Sequence, residues 1–592
     1  MKSIRTRVLA AVTSVVLATA ALAGCGSTTT DAGAPTGTTA AAVAAAADAT
    51  QNAAAVLAAN EGADAADTTW TADGATTVTL SGTSATVSGT GATVKGGTVT
   101  VTAAGTYRVT GTLTDGQIVV DAGDADVKLV LDNASVTSST SAAIAVTAAG
   151  NVSVILADGS TNTLSDTTSY AADADINAAL YSAADLTIGG NGALTVHGNG
   201  NDGITGKDDL TITAGTITVT AADDGIRGKD SLVVTGGTIT VTAGGDGLTA
   251  DNADDAGAGY VAVSGGTLDI TAGGDGIAAA TDLVTTGGTI HVDAGSGTAA
   301  GSDASTKGVK SGVITVLEGG TITVESTDDA VHGDGAVHLN GAALTLAAGD
   351  DGVHAETALV VDAGTVDITR SVEGIESAAI VVNGGRVGIV SSDDGLNASG
   401  ESTTGGGGGG GEQVGPYKAS ITGGTLVINA EGDGFDSNGT AEITGGTVVV
   451  NGPTRSGNGA LDVNGSFTIS GGVLVAAGSA GMVVSPAADS AQGWISATLT
   501  SAVPAGTTVQ VTTADGTVLA TFVTAKTIQN IVYSGPGITT GTQYTVCTGG
   551  TATGASVGGL AEGGTLGSAT VAATVTAGQA AAGGNRMGGG RR

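Results

Sequence analysis

The stretch from 201 to 230 reads NDGITGKDDLTITAGTITVTAADDGIRGKD. Within it, an acidic residue, a glycine and an aliphatic residue occur together twice, first at Asp202 and again at Asp224, 22 residues later. The residues between them include alternating Thr and aliphatic side chains, the period of two that is typical of a strand with one buried face. The stretch therefore predicts a β-repeat that returns to the same position about every 22 residues.

The same three-residue word recurs through the middle of the chain. It begins at Asp202, Asp224, Asp246, Asp275, Asp329, Asp351, Glu373, Asp394 and Asp433, and Lys307 occupies the equivalent place 22 residues before Asp329. Ala330 replaces the glycine after Asp329, and Phe435 replaces the aliphatic residue of the word at Asp433. A second word, usually Gly-Gly-Thr-aliphatic, lies between these positions, as at 236–239 and 287–290. Its glycines can adopt the positive φ angles that other residues resist. Each unit is therefore predicted to hold three short strands separated by glycine corners.

These units predict an all-β fold, a three-sheet parallel β-helix with about 22 residues per coil. Successive coils would stack about 4.8 Å apart and bury small aliphatic side chains in the bore. The composition agrees, because aromatic residues make up only 2% of the 592 residues and glycine contributes 103. Alternating residues near the end of the chain predict a small C-terminal β cap over the last coil, since open sheet edges need protection.

The start of the chain has the features of an export signal. Lys2, Arg5 and Arg7 precede a short apolar stretch that ends in Leu22-Ala23-Gly24-Cys25. This order matches a bacterial lipobox, in which Cys25 would become the lipidated first residue; the alternative is an ordinary cleaved signal. The expected location is the extracellular face of the cell membrane, with attachment only through the lipid on Cys25, or release as a secreted protein.

The predicted domain boundaries follow from these features and from composition. They are a lipoprotein signal at 1–24, a disordered tether at 25–66, a parallel β-helix at 67–500 with a poly-Gly loop at 405–411, a β cap at 501–548 and a disordered Gly/Ala tail at 549–592. After removal of the signal, Cys547 would be the single cysteine besides the lipidated one, so no intramolecular disulfide is expected.

Charge limits the partners. Lys and Arg total 19 against 55 Asp and Glu, a net charge of -36. A protein that binds nucleic acid or an anionic membrane surface is normally basic, so the acidic balance disfavours both partners. An acidic chain suits a bound cation such as Ca²⁺, or simply solubility.

The repeated acidic residues would stand above one another in columns. Two carboxylates about 4.8 Å apart repel each other, and hard oxygen ligands of this kind suit Ca²⁺. In the alternative interpretation each Asp caps its own turn and solvent screens its charge. The candidate calcium ligands are Asp202, Asp223, Asp224, Asp246, Asp328, Asp329, Asp350, Asp351, Glu373, Asp393 and Asp394.

A second column is expected three residues after the acidic one, facing one side of the fold. It could line a groove that binds sugars, or it could be an ordinary polar surface. The candidate ligand-binding residues on or near it are Arg227, Lys229, Lys310, His332, His354 and Glu376. Cationic side chains there could meet carboxylated sugars, and the two histidines could also bind a metal. No catalytic residue is assigned.

Three segments resemble a known family: ALYSAADLTI at 179–188, NDGI at 201–204 and DDGIRGKD at 223–230. They are similar to the secreted carbohydrate-binding β-helix proteins of bacteria, whose clostridial examples look like polysaccharide lyases in fold. The resemblance extends from about residue 70 to 550. It implies a right-handed parallel β-helix, bound Ca²⁺ and affinity for cellulose-type or acidic polysaccharides. The poly-Gly insertion and the pair Ala183-Ala184, where many relatives carry charge, depart from the family pattern.

The resulting expectation is a monomeric, non-catalytic, calcium-assisted binder of extracellular polysaccharide, either cellulose-type or rich in uronic acid. Three alternatives remain open. One is a calcium-dependent polysaccharide lyase, in which Arg227 beside Asp223 and Asp224 is a conceivable base. The second is a structural stalk or adhesin. The third is an ice-binding surface formed by the outward threonine ladders, as at Thr216 and Thr238.

Overall fold

The computed structural model describes residues 48–580 apart from 64, 296–304 and 401–413. The predicted signal, Cys25 and the poly-Gly loop lie outside the described residues. Within the described part, no helix combines the length and the apolar composition that a membrane crossing requires.

One short helix, α1 (Ala53–Ala59), precedes the strands. The first group of strands comprises β1 (Thr76–Gly82), β2 (Ser84–Ser88), β3 (Ala92–Lys95), β4 (Thr98–Val101), β5 (Gly105–Leu113), β6 (Gln117–Asp121), β7 (Val127–Thr137), β8 (Ile144–Ala148), β9 (Asn151–Leu156) and β10 (Thr161–Ser165).

The second group carries the repeat. It comprises β11 (Ala178–Ser182), β12 (Asp185–Gly190), β13 (Ala193–Gly198), β14 (Asp202–Gly206), β15 (Asp209–Ile212), β16 (Thr216–Ala221), β17 (Ile226–Gly228), β18 (Ser231–Val234), β19 (Thr238–Ala243), β20 (Leu248–Ala250), β21 (Tyr260–Val263), β22 (Thr267–Ala272), β23 (Ile277–Ala279), β24 (Asp282–Ala294), β25 (Val309–Ser311), β26 (Ile314–Ser326), β27 (Val331–Gly333), β28 (Ala336–Ala347), β29 (Val353–Ala355), β30 (Ala358–Arg370), β31 (Ile375–Ser377), β32 (Ala379–Val382), β33 (Arg386–Ser391), β34 (Leu396–Ala398), β35 (Lys418–Ile421), β36 (Thr425–Ala430), β37 (Phe435–Ser437), β38 (Thr440–Ile443), β39 (Thr447–Asn451), β40 (Leu461–Val463), β41 (Phe467–Ile469) and β42 (Val473–Gly478).

The last group comprises β43 (Trp494–Val503), β44 (Thr508–Thr512), β45 (Val518–Val523), β46 (Ile528–Ser534), β47 (Gln543–Thr548), β48 (Thr551–Val557), β49 (Leu560–Thr565) and β50 (Thr570–Thr576).

The strands form three sheets of 28, 16 and 6 strands. The first sheet takes two strands from each typical repeat unit and the second sheet takes one, such as β14, β17 and β20. Equivalent residues of successive units are parallel partners: Ile204 pairs with Ile226, and Ile226 pairs with Leu248. The first two of these partners are 22 residues apart, so one circuit of the chain does return to the same position along this stretch.

The predicted three-sheet parallel β-helix is nevertheless wrong. Two of the three expected strand columns are joined by hydrogen bonds into the 28-stranded first sheet. Within that sheet, 12 parallel strands close into a β-barrel with further strands attached. Long strands join the two columns: β7 pairs with both β9 and β10, β24 with both β21 and β22, and β30 with both β32 and β33.

The physical reason is visible in β24, which continues from Asp282 to Ala294 through the glycine pair Gly287-Gly288. Gly288 has φ +95°, so it bends the backbone, and the register of the pairing with β26 shifts just before it. The strand continues through this bend. The glycine pair was expected to separate two sheets, but the strand segments on its two sides belong to the same sheet.

The core is built from aliphatic ladders. Ile217, Ile239 and Leu268 are successive partners on β16, β19 and β22, and each is at most 1% exposed. Antiparallel hairpins β1–β2 and β3–β4 lie at the N-terminal end of the two large sheets, and β46 pairs antiparallel with β42 and β43 at the other end. These strands protect the ends of the parallel ladders.

Two predicted disordered segments are partly ordered. In the expected tether, Asn52 caps α1 by accepting a hydrogen bond from the N–H of Ala55 at 2.9 Å. Ala53 and Val56 of α1 pack on the first sheet. In the expected tail, β48, β49 and β50 complete the antiparallel six-stranded sheet, so the C-terminal cap extends beyond residue 548. Packing against the first sheet orders α1, and pairing with neighbouring strands satisfies the backbone of β48, β49 and β50. Composition alone indicates neither contribution.

Candidate functional site

The acidic residues of several repeat words hold the backbone of the following circuit. Asp224 Oδ1 accepts a hydrogen bond from the N–H of Asp246 at 2.9 Å, and Asp246 Oδ1 accepts one from the N–H of Asp275 at 2.7 Å. The same contact joins Asp275 to Lys307 (2.7 Å), Asp329 to Asp351 (3.0 Å) and Asp394 to Asp433 (2.6 Å). These aspartates therefore cap the turn of the next circuit, whereas the alternative drawn from the sequence had each cap its own turn.

The second carboxylate oxygen faces the residue three positions later. Asp329 Oδ2 lies 2.7 Å from His332 Nδ1, and Asp351 Oδ2 lies 2.9 Å from His354 Nδ1. At the start of the column, Asp202 Oδ2 accepts a hydrogen bond from Thr205 Oγ1 at 2.8 Å. In Asp329, one oxygen thus stabilises the backbone of the next circuit, and the other faces a side chain.

The residues three positions after the first residue of each repeat word lie on successive strands of the second sheet, and Asp462 on β40 continues their register. Their register forms one continuous column, here called the central column. It consists of Thr205, Arg227, Thr249, Ala278, Lys310, His332, His354, Glu376, Asn397, Asp436 and Asp462. The column changes from cationic around Arg227 and Lys310, through the two histidines, to acidic after Glu376.

Arg227, a predicted sugar-binding residue, is engaged by two carboxylates. Its guanidinium donates a short hydrogen bond to Asp251 and lies 3.7 Å from the fully buried Asp202. Burial works against the charged form, but the hydrogen bond to Asp251 and the charges of Asp251 and Asp202 outweigh it and raise the pKa of Arg227. The side chain remains 24% exposed. Lys229 follows β17 and lies outside the central column.

Lys310 and Lys307 contact different carboxylates. The Nζ of Lys310 is 4.0 Å from Asp275 Oδ2, and the side chain is 36% exposed. Lys307 is more enclosed, with its Nζ 2.6 Å from Asp328 Oδ2 and 3.8 Å from Asp329 Oδ2. Lys307 occupies the place of an acidic residue in the repeat, so the chain supplies its own cation to this part of the acidic column.

The two predicted histidines stack on each other. The ring centroids of His332 and His354 are 5.0 Å apart, with 21° between the ring planes. Burial would lower the pKa of His354, but the hydrogen bond to Asp351 and the charges of Asp329, Asp351 and Glu376 raise it to about 9. Both imidazoles therefore lie in an environment that favours positive charge.

Many of the acidic residues have raised pKa values. Burial is the largest cause, and the charges of neighbouring carboxylates add to it, because both disfavour the ionised form. The pKa rises to about 6 for Asp202 and Asp208, to about 7 for Asp246, Asp351 and Asp394, and to about 8 for Glu373 and Asp436. Together these groups form a strip of negative potential that a cation would relieve.

The structure brings only some of the predicted metal ligands together. Asp328, Asp329 and Asp350 offer oxygen atoms within 4.8 Å of one another. The same limit holds for the ligand atoms of two groups that include histidine: Asp351, His354 and Glu376, and Asp329, His332 and His354. Within the described ranges, Asp202, Asp223, Asp224, Asp246, Glu373, Asp393 and Asp394 belong to no such group of three. Asp223 and Asp393 are exposed.

One acidic group was not predicted from the sequence. It is formed by Asp185, Asp208 and Asp209. Asp208 and Asp209 follow the repeat word at Asp202 by six and seven residues, and the next circuit has Asp230 at the same phase as Asp208. The 22-residue spacing between Asp208 and Asp230 is the sequence signal from which this group could have been predicted.

Comparisons with known proteins agree with the resemblance seen in the sequence. The profile of a family described as carbohydrate-binding domain-containing protein matches residues 95–352 and 334–410, a range that covers more than half of the chain. A protein of the same description from Acetivibrio thermocellus is 45% identical over 128 residues, which are 21% of this chain and 45% of that relative. The match thus spans less than half of the relative's length.

Among solved structures, a polysaccharide lyase-like protein from C. thermocellum, studied as a gadolinium derivative, is 30% identical to this chain. The alignment covers 48% of this chain and 96% of that one, with a TM-score of 0.34. The family profile, rather than this structural likeness, carries the assignment. The predicted resemblance is confirmed: this chain belongs to the carbohydrate-binding domain-containing protein family.

Proposed function

We propose that the protein binds extracellular polysaccharide without cleaving it, and that the central column of the second sheet is the binding surface. The ligand class is a cellulose-type or uronic-acid-containing chain. The observation that carries this proposal is the register of the second sheet, which repeats polar and charged side chains at one position on successive strands. An extended polymer with regularly spaced hydroxyl and carboxylate groups is complementary to such a ladder.

Charge divides the surface into two parts with different roles. Lys310 and Arg227 keep exposed fractions of 36% and 24%, and they would contact the carboxylates of uronic acids. Near Glu376 and Asp436 the column is acidic, so an acidic polymer would need a bridging cation there. Ca²⁺ fits the hard oxygen ligands of these side chains, and calcium assistance is part of the proposal.

Binding is favoured over cleavage by the state of Arg227. A lyase base must give up its proton before it can remove one from the sugar. Because Asp251 and Asp202 raise the pKa of Arg227, this residue holds its proton more firmly than usual. The constellation that the sequence suggested for a lyase therefore does not favour that chemistry.

We also propose that the protein is exported and held at the outer face of the membrane by lipid on Cys25. The support is the order of charged, apolar and small residues that ends in Leu22-Ala23-Gly24-Cys25. A monomer is the simplest state for such an anchored binder. Labelling with a radioactive fatty acid, compared between the full chain and Cys25→Ser, tests this part separately.

Retention assays test the binding proposal. The full chain is applied to cellulose and to cross-linked polygalacturonate, in the presence of Ca²⁺ and of chelator. We expect retention on at least one matrix, with chelator weakening retention on polygalacturonate. Lys310→Ala should reduce retention on polygalacturonate several-fold, whereas Arg386→Ala, which removes an exposed cation of β33 in the first sheet, should not.

Two results would contradict the proposal. If the Lys310 and Arg386 variants are retained equally, the central column is not the binding surface. If the protein is retained on neither matrix, the proposed ligand class is wrong. Appearance of unsaturated uronide absorbance during the incubation would show cleavage and replace the binding proposal with a lyase.

A further inference from the structure

His354 lies where three side chains from two successive strands converge. Its Nδ1 is 2.9 Å from Asp351 Oδ2 and 3.6 Å from Glu376 Oε2. His354 is on β29 and Glu376 is its direct partner on β31, while Asp351 precedes β29 in the turn. Together the three residues offer one nitrogen and two carboxylate oxygens within 4.8 Å of one another.

The distances between these atoms suit coordination of one metal ion. An ion about 2.1 Å from each atom would make an N–metal–O angle of roughly 87° for the 2.9 Å pair and roughly 118° for the 3.6 Å pair. Both angles are ordinary for zinc with four or five ligands. The strands of the second sheet fix the Cα positions of His354 and Glu376, and Asp351 lies just before β29.

A second observation comes from Asn397, the next residue of the central column. Its Nδ2 donates to Glu373 Oε2 at 2.7 Å and reaches Glu376 Oε1 at 3.4 Å. The residue is only 7% exposed, and its Oδ1 has no hydrogen-bond partner among the described residues. A buried amide oxygen without a donor is uncommon, and here it belongs to the amide whose Nδ2 contacts the Glu376 carboxylate.

The neighbouring histidine is not equivalent. His332 Nδ1 lies 2.7 Å from Asp329 Oδ2, and its Nε2 lies 3.0 Å from Asp334 Oδ1, so hydrogen bonds engage both ring nitrogens. The ring of His332 stacks on that of His354, and His332 shares a second group of possible ligands with Asp329 and His354. The Nε2 of His354 has a more distant neighbour, Glu356 Oε1 at 3.6 Å.

The convergence point is also accessible. His354 and Glu376 line a surface depression together with Glu356, Ser377, Ser399 and Gly400. Water could therefore enter and complete the coordination of an ion, as in open metal sites with three protein ligands.

We propose that Asp351, His354 and Glu376 form a site for a borderline divalent transition-metal ion such as Zn²⁺. The imidazole nitrogen distinguishes this site from the oxygen-only groups of the acidic columns, because nitrogen ligands favour zinc, nickel and copper, whereas calcium takes oxygen. Two of its ligands, His354 and Glu376, belong to the central column, so the site overlaps the proposed binding surface. Its ligand is the metal ion, however, and it is detected by metal binding rather than by retention on a glycan.

Titration calorimetry tests the site directly. Full-length protein without a polyhistidine tag is stripped with chelator and titrated with ZnCl₂ and, separately, with CaCl₂. We expect a Zn²⁺ site that a matching concentration of Ca²⁺ does not occupy. His354→Gln and Glu376→Gln should each weaken Zn²⁺ binding by at least about tenfold, since even outer-shell changes cost 10–100-fold.

His291→Gln is the matched control. His291 Nδ1 lies 3.1 Å from Asp269 Oδ1 on the exposed face of the first sheet, so it forms a histidine–carboxylate pair that belongs to no group of three in the described part of the chain. This variant should bind Zn²⁺ as the parent protein does. Circular dichroism establishes whether each variant is folded. If His354→Gln is unstable, Glu376→Gln tests the site in its place.

The inference is overturned if the stripped protein binds no Zn²⁺, if His354→Gln and Glu376→Gln bind it with parental affinity, or if Ca²⁺ displaces Zn²⁺ at equal concentration. Absorption of the Co²⁺-loaded protein adds a structural readout, because a nitrogen-containing low-symmetry site gives visible d–d bands that His354→Gln should abolish.

Discussion

The carboxylate of Asp246 accepts a hydrogen bond from the backbone N–H of Asp275, one circuit further along the chain, at a distance of 2.7 Å. The aspartate of one repeat word therefore holds the turn that carries the next aspartate. This arrangement stacks negative charge along the fold, because each link of the ladder brings another carboxylate. We therefore expect that a cation bound along this ladder would also change the stability of the fold.

The first prediction concerns pH. The folded-state pKa values of about 6 to 8 for Asp202, Asp246, Glu373 and Asp436 lie above the ordinary carboxyl range, first because of burial and then because of neighbouring charges. The folded state then binds more protons than the unfolded state between about pH 4 and 8, so the free energy of unfolding falls as pH rises across this window. His354, raised to about 9, contributes in the same direction up to about that pH.

In chelator, the melting temperature should therefore decrease from pH 5 to pH 8.5. Added Ca²⁺ should raise it at pH 8 and have little effect at pH 5, where the carboxyl groups are already protonated. If the melting temperature in chelator is constant or increases over this range, ionisation of the acidic columns does not destabilise the folded state, and the prediction is wrong.

The second prediction isolates one carboxylate. Asp246→Asn keeps the Oδ1 that accepts from Asp275 and removes a charge whose pKa is raised to about 7. Each pKa unit corresponds to about 1.4 kcal/mol, but partial exposure of the side chain reduces the effect. We expect the variant to be more stable than the parent by roughly 1–3 kcal/mol in chelator at pH 8. Asp73→Asn, at an exposed Asp-Gly sequence, removes the same charge and should change little.

The register and the ion pairs of the central column were largely available from the sequence. The 22-residue spacing placed His332, His354 and Glu376 on successive circuits, and the i, i+3 relationship that pairs Asp329 with His332 also pairs Asp351 with His354. That pattern could have indicated that the cationic side chains of the column pair with the aspartates of the fold before they bind a ligand.

The sheet connections were not available in the same way. Whether a glycine pair ends a strand or bends it depends on local dihedral angles, and Gly288 in β24 bends it, which joins two expected sheets. The strand β48 was missed for another reason. Residues from Thr551 to Ser556 are all exposed, so no apolar–polar alternation marks them.

The third prediction concerns Lys307, whose side chain is 12% exposed beside Asp328 and Asp329 at 16% and 6%. Lys307→Met leaves two enclosed carboxylates without this cation and should cost about 3 kcal/mol in chelator at neutral pH. Because Asp328, Asp329 and Asp350 already lie within 4.8 Å of one another, Ca²⁺ should restore much of the lost stability.

Chemical denaturation with and without Ca²⁺ measures both parts of that prediction. Lys418→Met is the control, since Lys418 pairs with Glu442 at 2.7 Å on a surface where the two side chains are 52% and 37% exposed. Such a pair contributes less than about 1 kcal/mol. Equal losses in the two variants would mean that Lys307 does not act as an internal counter-ion.

The last prediction concerns the glycine of the repeat word. A Cβ added to Gly225 would lie 2.3 Å from Val241 Cγ1 and 2.6 Å from the carbonyl oxygen of Gly247. Gly225 is thus required by the close approach of adjacent circuits rather than by a left-handed φ angle. Gly225→Ala should destabilise the protein by about 1–3 kcal/mol through overpacking, whereas Gly62→Ala, where nothing lies within 4 Å of the new atom, should stay within about 0.5 kcal/mol. Equal denaturation midpoints for the two variants would contradict the stacking of Gly225 against Gly247, and with it the register that aligns the central column.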